Sequence, residues 1–284
     1  MKKNARIFSS SWSDYELIDA GKERKLERWG FVITIRPERQ AYFDPNLSDK
    51  EWRDMADWEF LESKNQSGTW KSLSSKSDQK WQIGFEEIKF NLELTHFKHV
   101  GLFPEQESNW RFIREELKSG QRFLNLFAYT GASSLMARST GAEVVHCDSV
   151  RQLVDWSNLN QQSSELEGIK WVVDDALTFA KREVKRGNFY DMIQMDPPAF
   201  GLGKKGQKWK IENKIQELLS TAKELLNPGG WLILNTYSPR LEIDKLEGVV
   251  RESFGKSPEL ISQLWMKTKF GNRMYTGDLV RIQK

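Results

Sequence analysis

Apolar positions change their period along the chain, and the change divides it. Between Tyr15 and Phe43, the segment LERWGFVITIRPERQAYF alternates apolar and polar residues and ends on the turn formers Asp44 and Pro45, which predicts antiparallel strands. From Ser48 to Phe60 the spacing of Trp52, Met55, Ala56 and Phe60 is helical, and the polar KNQSGTWKSLSSKSDQK that follows predicts a loop. A second strand pair is predicted in WQIGFEEIKFNLEL. Residues 1–95 therefore read as a small β-rich N-terminal domain, a candidate for substrate binding, and residues 96–284 as a second domain.

From Trp110 onward, helices and strands alternate. A helix over Trp110–Lys118 precedes strand RFLNLF, helix SSLMARST, strand EVVHCD, helix RQLVDWSNLNQQ, strand KWVVD and helix ALTFAKREVKR. Strand YDMIQMD, a loop, helix IENKIQELLSTAKELL and strand WLILNTY follow, with the stretch from Asn227 to Gly230 as helix stop and turn. Strands near Glu259–Met266 and Gly277–Ile282 would complete the sheet as an antiparallel edge pair. Strands separated by helices make βαβ units, so the expected fold class is α/β: a Rossmann-like, doubly wound, mostly parallel sheet.

Composition narrows the chemistry. With 284 residues the chain exceeds a typical domain of roughly 100–150, in keeping with two domains. The N-terminus has basic residues but no apolar signal core, and no run approaches the ~20 apolar residues of a membrane span, so a soluble, cytoplasmic protein is expected. The single cysteine, Cys147, excludes an intramolecular disulfide, and with 3 histidines no metal site is expected. A net charge of +3 does not mark a nucleic-acid binder, and the 12 tryptophans can fill a core as readily as stack bases.

In a doubly wound sheet, ligands sit beyond the carboxyl ends of the strands, so chemistry is sought just after each strand. Asn125, Phe127, Tyr129, Thr130 and Gly131 follow the first strand, where Gly131 would let backbone approach a ligand. The segment lacks the full G-x-G-x-x-G phosphate cradle, which favours a cofactor without a pyrophosphate. Asp148 ends the second strand, as a ribose acceptor or a helix cap. Asp174 and Asp175 end the third; either suits an adenine amino group or a cap, and Asp175 is the chosen candidate. Asp196, Pro197, Pro198, Ala199 and Phe200 follow YDMIQM, where two prolines stiffen a turn carrying an acid.

Together FLNLFAYTGASS, Asp148, VVDDA and DPPAFG resemble the bacterial 23S ribosomal RNA methyltransferases of the large-subunit type, over about residues 95–240. The resemblance implies a class I methyltransferase using S-adenosyl-L-methionine. By it, Phe127, Thr130 and Gly131 would hold the methionine part, Asp148 the ribose and Asp175 the adenine, with Asn125, Tyr129, Ser149 and Ala176 as further cofactor-binding candidates. Asp196, Pro197 and Pro198 would form the catalytic acceptor loop. The segment Lys98–Gln106 is similar to one that lies over the cofactor in relatives, making Gln106 a further candidate.

This sequence departs from relatives that make 5-methylcytosine through a cysteine nucleophile. The corresponding segment reads Asn235, Thr236, Tyr237, Ser238, Pro239, Arg240, so methylation of a base nitrogen in RNA, with ribosomal RNA as partner, is expected instead. After the Asp-Pro-Pro loop, GLGKKGQKWKIENK sets Lys204, Lys205, Lys208 and Lys210 around Trp209. With Phe200, Lys204, Lys205 and Trp209 are candidates for phosphate and base contacts, against the alternative of a solvated loop. His96 and His99 are weighed as acid/base groups, with a structural role preferred.

Overall fold

The computed structural model describes residues 2–63, 67–75, 78–202 and 208–284. It separates into two compact units: Phe8–Ser108 with Trp265–Thr276, and Met1–Ile7 with Asn109–Leu264 and Gly277–Lys284. The units do not follow the boundary expected between residues 95 and 96. Strand β1 (Lys2–Ser9) joins the large sheet of the second unit, and a later hairpin contributes to the first.

In the first unit, β2 (Tyr15–Gly21), β3 (Arg24–Trp29), β4 (Val32–Pro37), β5 (Trp58–Glu62) and β6 (Gly68–Ser72) form one sheet in that order. Lys22 and Glu23 both take positive φ, 49° and 58°, the conformation that lets a two-residue turn match the strand twist between β2 and β3. Helix α1 (Asp49–Met55) starts at a capping box between Ser48 and Glu51 and buries Trp52. The helical reading of 48–60 holds only to Met55: Phe60 lies in β5, where backbone pairing with β6 outweighs local spacing. Likewise β6 runs through a stretch read as loop, because Trp70 packs edge-on against Phe60 across the pair. β7 (Lys80–Phe85) and β8 (Ile88–Glu93) form the expected second hairpin.

Buried charge crosses the first sheet. Glu27 is fully buried and receives Arg36 through Nε at 2.8 Å and Nη2 at 2.6 Å, with the Tyr15 hydroxyl donating at 3.0 Å. Burial opposes each of these charges, yet Arg36 and Lys25 beside Glu27 keep its carboxyl below the usual range.

In the second unit, α2 (Glu107–Glu116) leads into β9 (Arg122–Leu126), α3 (Ala132–Ser139), β10 (Glu143–Asp148), α4 (Arg151–Ser163), β11 (Ile169–Val173), α5 (Ala176–Lys185) and β12 (Tyr190–Met195). A short hairpin, β13 (Phe200–Leu202) with β14 (Lys208–Lys210), precedes α6 (Ile215–Leu225), β15 (Leu226–Thr236), α7 (Ile243–Phe254), β16 (Leu260–Lys267) and β17 (Arg273–Gln283). The sheet order is β1-β16-β17-β15-β12-β9-β10-β11. β17 runs antiparallel to β15 and lies inside the sheet, with β1 outermost, so β16 and β17 are not an edge pair. Pairing by a strand some 250 residues away leaves no local signal.

This order fixes where a ligand can bind. The chain builds β9, β10 and β11 to one side, then returns to lay β12 and β15 on the other, so the switch point falls between β9 and β12. Leu124, Leu126, Cys147, Ile193, Met195 and Leu234 point to one face and pack with α5, α6 and α7. The opposite face carries Asn125, His146 and Gln194, which are register neighbours and buried.

Candidate active site

The loop leaving β9 has an unusual backbone. Phe127 and Tyr129 take φ of 57° and 52°, and Gly131 87°. Left-handed residues with side chains cost about 1–3 kcal/mol each and persist only where surrounding contacts fix them. Here the Tyr129 N–H donates to Asp148 Oδ2 at 2.9 Å, and the Tyr129 carbonyl accepts from Ser157 Oγ at 2.9 Å. The Thr130 carbonyl accepts from Asn160 Nδ2, also at 2.9 Å. At Gly131 an added Cβ would lie 3.0 Å from the Ser157 side chain and 3.5 Å from His146, so close packing on α4 and β10 requires glycine here.

Asp148 is 9% exposed at the end of β10. Burial pushes its carboxyl above the usual range, opposed by the backbone N–H groups of Val150, Tyr129 and Ser149. Oδ1 accepts from Val150 at 2.9 Å, so backbone donors fix the carboxylate at the strand end, where it can accept from a ribose hydroxyl. Ser149 is exposed beside it, and Val150 is 43% exposed.

The two acids after β11 part ways. Asp175 caps α5, its Oδ1 accepting from Thr178 N–H at 2.8 Å, so the cap reading of this residue is realised in the fold; Ala176 is buried in the first helical turn. Asp174 instead pairs with Arg182. Asn125, a cofactor candidate, spends its amide on Ser134 Oγ at 3.0 Å and is 3% exposed.

Across the switch point, Asp196 follows β12 and Pro197 is buried while Pro198 is exposed. The hairpin behind them folds back. Trp209 Nε1 donates to the Pro198 carbonyl at 2.7 Å, and its ring lies 5.4 Å from that of Phe127. Trp209 thus clasps the Asp-Pro-Pro turn to the β9 loop. Phe200, by contrast, is 54% exposed. Lys208 and Lys210 are exposed; Lys204 and Lys205 lie outside the described residues.

Three further candidates belong to the β-rich unit. Gln106 closes a 3-10 turn, Pro104–Gln106, in the β-rich unit and is buried. His99, in that same unit, is held down to about 2 by burial, and it packs on Phe103, which fits a structural ring. His96 packs against Phe97. Burial pushes the Cys147 thiol upward, with Asp174 and Asp148 adding to it, so it cannot serve as a thiolate at neutral pH. Among the described residues, no three His, Cys, Asp or Glu could hold a metal ion.

Sequence reading overlooked Ser157 and Asn160. Both lie on the inward stripe of α4 with Val154, at helical spacing, and polar residues on a buried stripe were the available signal.

A doubly wound sheet, an acid after its second strand and an Asp-Pro-Pro turn at its switch point define a Rossmann-like, nucleoside-cofactor enzyme. The chain belongs to the S-adenosylmethionine-dependent methyltransferases, whose family profile matches residues 61–267. Its cofactor is S-adenosylmethionine. A crystal structure of the S-adenosylmethionine-dependent methyltransferase from Agrobacterium tumefaciens is 32% identical, covers 99% of this chain and 94% of that one, and superposes with a TM-score of 0.91. A methyltransferase structure complexed with S-adenosylhomocysteine, 18% identical over 97% of this chain and 76% of that one, shares the fold with a TM-score of 0.79. Among curated relatives, the ribosomal RNA large subunit methyltransferase K/L of Syntrophotalea carbinolica is 30% identical over 209 residues, 68% of this chain. The ribosomal RNA large subunit methyltransferase I of Photobacterium profundum is 32% identical over 154 residues, 53% of this chain. The chain spans 29% and 38% of the length of these two relatives.

Proposed function

We propose that this chain transfers a methyl group from S-adenosylmethionine to a base nitrogen of RNA, with ribosomal RNA as the acceptor. The observation that carries the reading is the convergence, at the switch point, of the strained β9 loop with Asp148 on one side and the Asp196 turn clasped by Trp209 on the other. The names of the curated relatives support the acceptor class. Ribosomal RNA as acceptor sets the enzyme in the cytoplasm. No described helix is long and apolar enough to cross a membrane.

In this reading Phe127, Tyr129, Thr130 and Gly131 form the wall for the methionine part, Asp148 and Ser149 take the ribose, and the open surface of Val150 backs the adenine. Asp175 reaches the adenine amino group with the oxygen not used in its cap. Bound S-adenosylmethionine supplies an electrophilic methyl group, so the protein's task is alignment and exclusion of water. Asp196 accepts a hydrogen bond from the acceptor nitrogen, and Pro197 and Pro198 hold that carboxylate against the crevice. Phe200 and the lysines beside Trp209 face the nucleic acid, and the β-rich unit is a substrate-binding module in its own right.

The test is transfer of labelled methyl to ribosomal RNA from cells lacking this gene, followed by nucleoside mass spectrometry. Label in one nitrogen-methylated nucleoside is the expected result. No label on RNA, with S-adenosylhomocysteine still bound, would sink the acceptor assignment and turn the search to proteins or small molecules.

A further inference from the structure

The left-handed β9 loop is held from inside the protein by a chain of side chains that no ligand could reach. Asn125 Nδ2 donates to Ser134 Oγ at 3.0 Å, and Ser134 Oγ lies 3.0 Å from His146 Nδ1. His146 Nε2 lies 3.3 Å from Ser157 Oγ, which reaches the Tyr129 carbonyl at 2.9 Å and the Leu153 carbonyl at 2.8 Å. Ser134, His146 and Ser157 are fully buried and Asn125 nearly so.

The chain has a direction. An amide nitrogen only donates, so Ser134 accepts from Asn125, and in the tautomer with Nδ1 unprotonated it gives its own hydrogen to His146 Nδ1. A neutral imidazole that accepts at Nδ1 carries its hydrogen on Nε2 and donates to Ser157. The Ser157 hydrogen is then committed to the carbonyls of Tyr129 and Leu153. Burial keeps the ring neutral, its pKa pushed down to about 3. Reversing the direction would turn the Ser157 hydrogen back to the ring and strip the Tyr129 carbonyl of its donor. The same residue's N–H is held by Asp148, so Tyr129 is gripped on both sides.

We infer that Asn125, Ser134, His146 and Ser157 are positioning residues, a buried relay that fixes the Tyr129 backbone and thereby keeps the β9 loop and Asp148 in register for S-adenosylmethionine. The inference rests on the assignment of that loop and Asp148 to the cofactor. It gives Asn125 a place behind the cofactor wall instead of in it, and it accounts for two serines, an asparagine and a histidine where apolar packing would otherwise serve.

The full-length chain, without added cofactor, provides the test, with S-adenosylhomocysteine as calorimetric probe. Ser157→Ala removes the donor to Tyr129 and should weaken binding about tenfold. Amide exchange at residues 127–131 should accelerate, while the amides of β9 and β10 keep their protection. Thr221→Ala deletes a comparable hydroxyl that donates to the Glu217 carbonyl within α6, and it should bind like the wild type. Wild-type affinity in Ser157→Ala, or equal weakening in Thr221→Ala, would overturn the relay. Asp148→Asn separates the two ideas. If it abolishes binding while Ser157→Ala binds like the wild type, only the relay fails; if Asp148→Asn also binds normally, the site assignment fails and the relay with it.

Discussion

Replacing His146 with glutamine should make the protein less sensitive to mild acid. The ring is fully buried between Ser134, Ser157 and Trp171, no charged group contributes to its shift, and desolvation alone lowers its pKa from 6.5 to about 3. The folded form therefore refuses a proton that the unfolded chain accepts. Stability from this group is complete above 6.5 and falls as pH drops toward the folded value. Between about pH 7.5 and about pH 5, one such histidine lowers the unfolding free energy by about 2 kcal/mol. His99, held near 2, adds a similar loss, while Asp148 and Glu105, both pushed upward by burial, act with the opposite sign. Comparing wild type with His146→Gln at both pH values cancels those shared contributions. Urea denaturation should show the wild type losing about 2 kcal/mol more than the variant over this interval. Equal losses in the two proteins would show that His146 is not held neutral, and the direction assigned to its hydrogen bonds would fall with it.

Gly131→Ala forces a side chain at φ 87° and 3.0 Å from Ser157, so stability should fall by about 1–3 kcal/mol and S-adenosylhomocysteine should bind more weakly, read by thermal melting and calorimetry. Trp209→Phe keeps a ring against Phe127 but loses the donor to the Pro198 carbonyl; methyl transfer to RNA should drop about fivefold in kcat/KM with S-adenosylhomocysteine affinity nearly unchanged. Arg36→Met leaves Glu27 buried with Lys25 as its nearest remaining cation and should destabilise the β-rich unit by about 3–5 kcal/mol, measurable as early loss of amide protection in β3 and β4. Asp196→Ala should reduce turnover far more than cofactor affinity and Asp148→Ala the reverse, as steady-state kinetics and calorimetry would show.

The sequence by itself determined the alternation of strands and helices from β9 to β12 and the level of the sheet at which ligands bind, whereas hairpin β13–β14 falls in a stretch read as loop and Asn227–Gly230, read as a turn, lies inside β15. Hydrophobic period is a local property, and β10 and α4 follow it to within a residue of their observed bounds. The Asp-Pro-Pro turn and Asp148 were legible for the same reason: each directly follows an apolar strand. Tertiary structure alone decided what lies far apart in the chain. β1 closes a sheet whose other strands begin more than a hundred residues later, and hairpin β16–β17 divides its residues between the two units. Pairing partners are chosen by the whole packed sheet, so neither feature marks its own segment. The same holds within the site. Asp174 and Asp175 are equivalent as letters, yet one meets Arg182 and the other the amide of Thr178. Asn125 gives its amide to Ser134, and Trp209 meets Pro198 and Phe127, partners that lie 9, 11 and 82 positions away in the chain. A polar side chain's role is set by which donors and acceptors surround it once water is gone, and only the folded chain supplies that neighbourhood.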